Sequence, residues 1–231
     1  MKSFGARAAG ERLERMRASA GWVEATDAGP AGFRNRAPVR PGLRDKTAAR
    51  PTPIEFLCGG ERRVPSGTLP LVDPREAWRE PPGAHLRATW FGHSSVLLEM
   101  GDDKIVRRIL TDPVWGARAS PSRLAGPKRF HPVPLPLKAL PPLDAVLISH
   151  DHYDHLCMAT VRDLARLQPA LPFVTSLGVG AHLEAFGIAP ARITELDWWE
   201  HHDLPGTGIR FTAAPSQHFS GRGLKDRKSV V

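Results

Sequence analysis

The chain has 231 residues, of which 41% are hydrophobic, enough for the core of one large domain or two small ones. The formal net charge is +8, but arginine is scattered and no basic stripe with interleaved aromatics appears, so no nucleic-acid partner is expected. Cys58 and Cys157 lie too far apart for a disulfide framework or a C-x-x-C zinc knuckle, which points to a reducing, cytoplasmic compartment.

The first twenty residues carry charges but lack the apolar stretch of a secretory signal. Residues 11–20 predict a short basic helix with Leu13 and Met16 on one side. Residues 21–53 are rich in Gly, Pro, Arg and Ala without periodicity, and residues 59–83 are similar. Together, residues 1–84 read as an N-terminal arm, extended or partly disordered. Organised structure is expected over residues 85–231. Strands are predicted at 86–91, 94–100 and 105–111, with the turn Gly101-Asp102-Asp103 before the last. A long proline-rich loop follows to residue 142, carrying the basic residues Arg123, Lys128 and Arg129. A loop of that length inside a domain is usually functional or mobile. Residues 145–149 predict the next strand. Then come a helix at 158–167 with Val161, Leu164 and Leu167 on one face, and a strand at 172–175. A helix at 179–186 ends at Gly187, and strands follow at 193–196 and 208–214. Hairpins followed by β–α–β alternation predict an α/β (α+β) fold with helices on at least one face of a mixed sheet. No apolar run reaches the roughly 18 residues of a membrane-spanning helix.

The strand at 145–149 runs into His150-Asp151-His152-Tyr153-Asp154-His155, an H-x-H-x-D-H pattern. An extended backbone points His150 and His152 to one face. Asp154 and His155 fall where the chain turns and can approach a second position beside the first. Neutral imidazole with carboxylate suits zinc or a similar divalent ion. A pair of ions about 3.5–4 Å apart can clamp both the attacking and the leaving oxygen of a hydrolysis. The competing structural reading has Asp154 capping the following helix beside solvated histidines; three histidines at this spacing argue against it. Cys157 reads as a small buried residue of the following helix rather than a ligand.

Further segments accompany this motif in order: Trp90-Phe91-Gly92-His93-Ser94-Ser95, Leu110-Thr111-Asp112-Pro113 and Pro215-Ser216-Gln217-His218. Together they resemble the metallo-β-lactamase-fold hydrolases. Ser120-Pro121-Ser122, Gly126-Pro127-Lys128-Arg129-Phe130 and Glu195-Leu196-Asp197-Trp198-Trp199-Glu200 resemble one branch, that of the N-acylphosphatidylethanolamine-hydrolysing phospholipase D enzymes and their bacterial relatives. The resemblance implies an αββα sandwich with metals at one edge. His150, His152 and His218 would ligate the first zinc, and Asp154 and His155 would serve the second. His93 would sit near the site in a supporting or a local turn role. His85, His131, His182, His201 and His202 are expected to be solvated or satisfied locally, and Trp198 and Trp199 to be packing aromatics.

The family pattern continues past His218 with a second half that supplies a bridging Asp and a last His. The tail Lys228-Ser229-Val230-Val231 does not match that continuation. The chain is therefore expected to be the first half of the sandwich, holding one zinc where an intact site holds two. The expected activity is zinc-dependent hydrolysis, with a phospholipase D-like phosphodiester substrate. The alternatives are a lactonase or nuclease on the same fold, or a metal-binding fragment without turnover. The substrate would be a small molecule or a phospholipid, with Arg123, Lys128 and Arg129 either drawing in an anionic head group or forming a solvated basic loop. The charge also leaves peripheral membrane contact open, and oligomeric state is not legible.

Overall fold

A computed structural model describes residues 2–27, 31–34, 65–83, 85–122, 126–216, 218, 220 and 222. Cys58, Arg123, Gln217 and the tail from Lys228 lie outside the described residues, as does the whole of the arm from 35 to 64. The elements that position the site are strands β3 (Leu86–Trp90), β4 (Val96–Gly101), β5 (Val106–Thr111) and β6 (Ala145–Ile148). Helix α2 (Met158–Leu167), β7 (Phe173–Ser176), helix α3 (Gly180–Ala185) and β8 (Ile193–Leu196) follow. They form a six-stranded sheet in the order β3-β4-β5-β6-β7-β8. The first three strands are antiparallel and β5 through β8 are parallel. The mixed α/β architecture expected from the sequence is present.

Local chemistry explains the connections. The β4–β5 turn closes because the Asp102 side chain accepts the backbone N–H groups of Lys104 and Ile105 at 2.9 and 3.1 Å. Helix α3 ends in a Schellman arrangement: Gly187 N–H donates to Glu184 O at 2.8 Å and Ile188 N–H to Leu183 O at 3.0 Å. Gly187 takes the left-handed φ of 94° that this ending needs. Both Leu183 and Ile188 are buried, so the cap also closes an apolar contact.

One face of the sheet carries Leu97, Leu110, Val146, Ile148 and Phe173 against Val161 and Leu164 of α2 and Leu183 of α3. Each such buried side chain contributes about 1.5–3 kcal/mol. The helical face of α2 is rotated from the expected one: Thr160 is buried and Leu167 is half exposed. Thr160 is held there because its hydroxyl accepts the Trp115 N–H at 2.9 Å. The other face carries Ile109, Ala145, Leu98, Met100 and Leu147, covered in part by the hairpin β9 (His201–Leu204) and β10 (Ile209–Thr212) through Leu204, Ile209 and Phe211. Strand β9 was not legible, since His201-His202-Asp203-Leu204 has no apolar alternation; antiparallel pairing with β10 holds it. His201 and His202 are therefore strand residues.

The basic helix expected at 11–20 is present as α1 (Gly10–Ala18). Beyond expectation, it is followed by the paired two-residue strands β1 (Trp22–Val23) and β2 (Gly32–Phe33). Phe33 and Leu177 form a small core against which Met16, Trp22 and Trp198 pack. Trp198 is thus a packing aromatic, whereas Trp199 is 63% exposed and is not. No helix among the described residues is long and apolar enough to cross a membrane.

Candidate metal centre

Parallel strands β5 and β6 end at the same sheet edge, and α/β sheets commonly bind ligands outside the carboxyl ends of such strands. The H-x-H-x-D-H segment leaves β6 there and folds back at once: His155 N–H and Leu156 N–H both donate to His152 O, at 3.0 and 2.7 Å. Helix α2 then starts after Cys157, which occupies the N-cap position without a side-chain cap bond and is only partly buried. Cys157 is therefore not a buried residue within the helix. Asp154 is not the helix cap either; its carboxylate turns toward His93.

Two groups form at this edge. In the first, ring nitrogens of His150, His152 and His218 all lie within 4.8 Å of one another. Their ring centroids are 4.5–4.6 Å apart. His150 is 8% exposed. Its Nδ1 lies 2.9 Å from Ser149 Oγ, while its Nε2 is buried with no hydrogen-bond partner. Burial pushes the His150 pKa down to about 4, with the neighbouring His155, His218 and His152 adding to the effect. His218 is lowered for the same reasons, burial first and then His152 and His155. Both shifts favour the neutral, lone-pair form of His150 and His218. An orphaned buried nitrogen within a cluster of imidazoles fits a borderline divalent ion.

The second group is His93, Asp154 and His155. His93 Nε2 lies 2.8 Å from Asp154 Oδ2, and His155 Nε2 lies 3.9 Å from the same oxygen. The His155 ring centroid is 4.0 Å from that of His150, so the groups adjoin. Burial pushes the His155 pKa down, but Asp112 and Asp154 outweigh it and hold it above its ordinary value. Burial pushes the Asp154 carboxyl up, and its own backbone N–H with the His155 and His93 rings brings it below the usual range. His93 therefore joins the second group directly. It takes φ 50° in the turn between β3 and β4, and its carbonyl accepts the Trp90 indole N–H at 2.7 Å.

Asp112 escaped the sequence reading as a site residue. It follows β5, is 7% exposed and takes φ 42°. Its carboxylate accepts Ser149 N–H and Ser149 Oγ–H, each at 2.7 Å, and meets His155 Nδ1 at 3.0 Å. An acid between a strand end and Pro113 was the available signal. Asp151 was missed as well. It is 4% exposed and points away from its flanking histidines toward Ser220 Oγ and His182 Nε2, the latter at 3.6 Å. His182 is thus bound to a distant segment rather than solvated or satisfied locally. Arg129 donates to Val114 O at 2.5 Å and serves the loop's own backbone, while Lys128 stays exposed.

Residues 107–231 match the family described as Beta-lactamase superfamily domain. An uncharacterised protein of Mycobacterium tuberculosis is 42% identical over 192 residues, covering 83% of this chain and 49% of its own length. The N-acyl-phosphatidylethanolamine-hydrolyzing phospholipase D 1 of Caenorhabditis elegans is 37% identical over 195 residues, covering 81% of this chain and 53% of its own. A UPF0173 metal-dependent hydrolase of Pyrobaculum arsenaticum is 27% identical over 139 residues, covering 60% and 53%. The chain spans about half the length of these curated relatives. The mixed sheet, the histidine-rich loop at its edge and the match over more than half the sequence agree: the chain belongs to the beta-lactamase superfamily.

Proposed function

We propose that this chain carries the metal-binding part of a zinc-dependent hydrolase that cleaves phosphodiesters in the manner of a phospholipase D. Residues 85–231 would be the first half of an αββα sandwich and residues 1–84 an arm preceding it. His150, His152 and His218 would hold the first ion; Asp154 and His155 would serve the second, with His93 supporting Asp154. The observation that carries the reading is the convergence of three imidazoles from two distant segments, one of which, His150, keeps a buried, unpartnered Nε2. The relative named as a phospholipase D favours phosphodiester over other substrates.

A zinc ion held there would supply Lewis acidity and lower the pKa of water toward neutrality, so that it could lose a proton and serve as the nucleophile. The chain's residues prepare the position. Burial keeps His150 neutral. Asp112 takes the Nδ1 side of His155, which leaves Nε2 facing Asp154 and the reaction edge. Ser149 Oγ ties Asp112 to His150, so the two groups share one hydrogen-bonded floor.

The test is hydrolysis of bis-aryl phosphodiesters and N-acylated phospholipids, with and without chelator, beside a His152→Ala control. Chelator-sensitive phosphodiester cleavage that the variant lacks is the expected result. Cleavage of lactones alone would move the substrate class to lactonase. Bound zinc without turnover would leave a metal-binding chain that is not catalytic by itself.

A further inference from the structure

We propose that the N-terminal segment is part of the scaffold of this centre, with His182 and Arg222 as the positioning residues through which it acts. The proposal rests on reading the H-x-H-x-D-H loop as the metal site. Asp151 stands between two of the proposed ligands, at a bend of the chain, and its carboxylate is turned away from them toward Ser220 and His182. A buried carboxylate there needs donors, because an unpaired one is costly. Ser220 Oγ–H supplies one to Oδ2; 3.6 Å from that oxygen lies Nε2 of His182 on α3, within electrostatic reach. Its other nitrogen, Nδ1, faces the Ala6 N–H at 3.2 Å. A backbone N–H can only donate, so Nδ1 is the acceptor and the neutral ring carries its proton on Nε2, aimed at Asp151. The first residues thereby fix the tautomer that serves the loop.

Gly5 makes this approach possible. Its φ is +81°, and a Cβ on it would fall 2.0 Å from His182 Nδ1 and 2.8 Å from Cγ. Arg222 supplies a second connection. It is 8% exposed and donates to Asp151 O at 2.6 Å, to Leu156 O, and to Ser3 O at 3.0 Å. It thus ties both ends of the loop to the N-terminal segment, with its guanidinium 4.3 Å above the Tyr153 ring. Arg12 anchors the segment from behind, donating to Glu184 at 2.6 Å and to Glu195 at 2.5 Å.

Gly5→Ala, His182→Phe and His182→Gln in the full chain separate positioning from general stability. Two readouts are taken: zinc affinity by competition with a chromophoric chelator, and amide hydrogen exchange of the metal-free protein. Gly5→Ala and His182→Phe should weaken zinc by about tenfold, the low end for partners that orient a metal site. Both should speed exchange of amides 151–156 while leaving those of α2 unchanged. His182→Gln keeps an N–H toward Asp151 and should restore affinity to within about threefold of the parent. Unchanged loop exchange in both Gly5→Ala and His182→Phe would overturn the proposal, as would exchange that rises uniformly along the chain. If the parent binds no zinc, the metal reading fails, and loop exchange still decides whether the segment holds the loop.

Discussion

The two side-chain groups at the end of β6 are neighbours, yet they are built in opposite ways. The His150 group is all imidazole: His150 is buried with its Nε2 unpartnered, while His152 and His218 are half-buried with Nδ1 of one 3.2 Å from Nε2 of the other. The His93 group has already paired its members: His93 with Asp154, and His155 with Asp112. Its outermost side chain, that of His93, is 55% exposed. An ion entering the first position gains a nitrogen that nothing else satisfies. An ion entering the second must compete with a hydrogen bond between His93 and Asp154. Ligand type alone would rank the carboxylate-bearing group higher for a cation; the unpartnered nitrogen of His150 and the lower exposure of its group reverse that order. The first position is therefore expected to hold zinc more tightly than the second.

The largest effect should come from His152→Ala. It removes a proposed ligand rather than a partner of one, so zinc at the first position should weaken by more than the roughly 100-fold limit typical of supporting residues. Competition with a chromophoric chelator measures this, and an unchanged first affinity would break the contrast. Asp112→Ala comes next and strikes the other group. It strands Ser149 N–H, Ser149 Oγ and His155 Nδ1, and buried donors left so cost about 1–3 kcal/mol of stability, read by urea unfolding. Second-position affinity should fall about 10–100-fold, with the first position much less affected. Asp112→Asn tolerates the left-handed backbone and should lose less.

Ser149→Ala is a smaller and sharper change, because this hydroxyl lies 2.7 Å from Asp112 and 2.9 Å from His150. Losing one hydrogen bond of about 1 kcal/mol corresponds to roughly fivefold, and it should appear at both positions. A loss confined to one would show that the groups are not joined through Ser149. His93→Gln should be the mildest. An exposed pair contributes at most about 1 kcal/mol, so only the second position should change, by less than about fivefold.

Much of this arrangement was readable in the sequence because it is local. The six-residue motif follows an apolar strand, and period-two geometry alone sends His150 and His152 to one side. The bounds of helix α2 were legible, although its buried face turned out to include Thr160 in place of Leu167. What escaped was set by partners far along the chain. Strand β9 exists because β10 pairs with it, and its own residues carry no strand signal. Asp112 acts on residues 37 and 43 positions away, at a backbone angle that sequence does not reveal. Asp151 looked like a spacer within the motif, and its role depends on His182, Ser220 and Arg222, none of which is near it in sequence. Residues that receive an ion leave a pattern; residues that hold them still leave almost none.

The inequality of the two positions is tested most directly by counting zinc. The chain is loaded with excess zinc, dialysed exhaustively against metal-free buffer and measured by elemental analysis, beside His152→Ala and His93→Gln. The expected result is one retained ion per chain, lost in His152→Ala and kept in His93→Gln. Two retained ions, or one that His93→Gln loses and His152→Ala keeps, would contradict the assignment of the tight position to His150, His152 and His218.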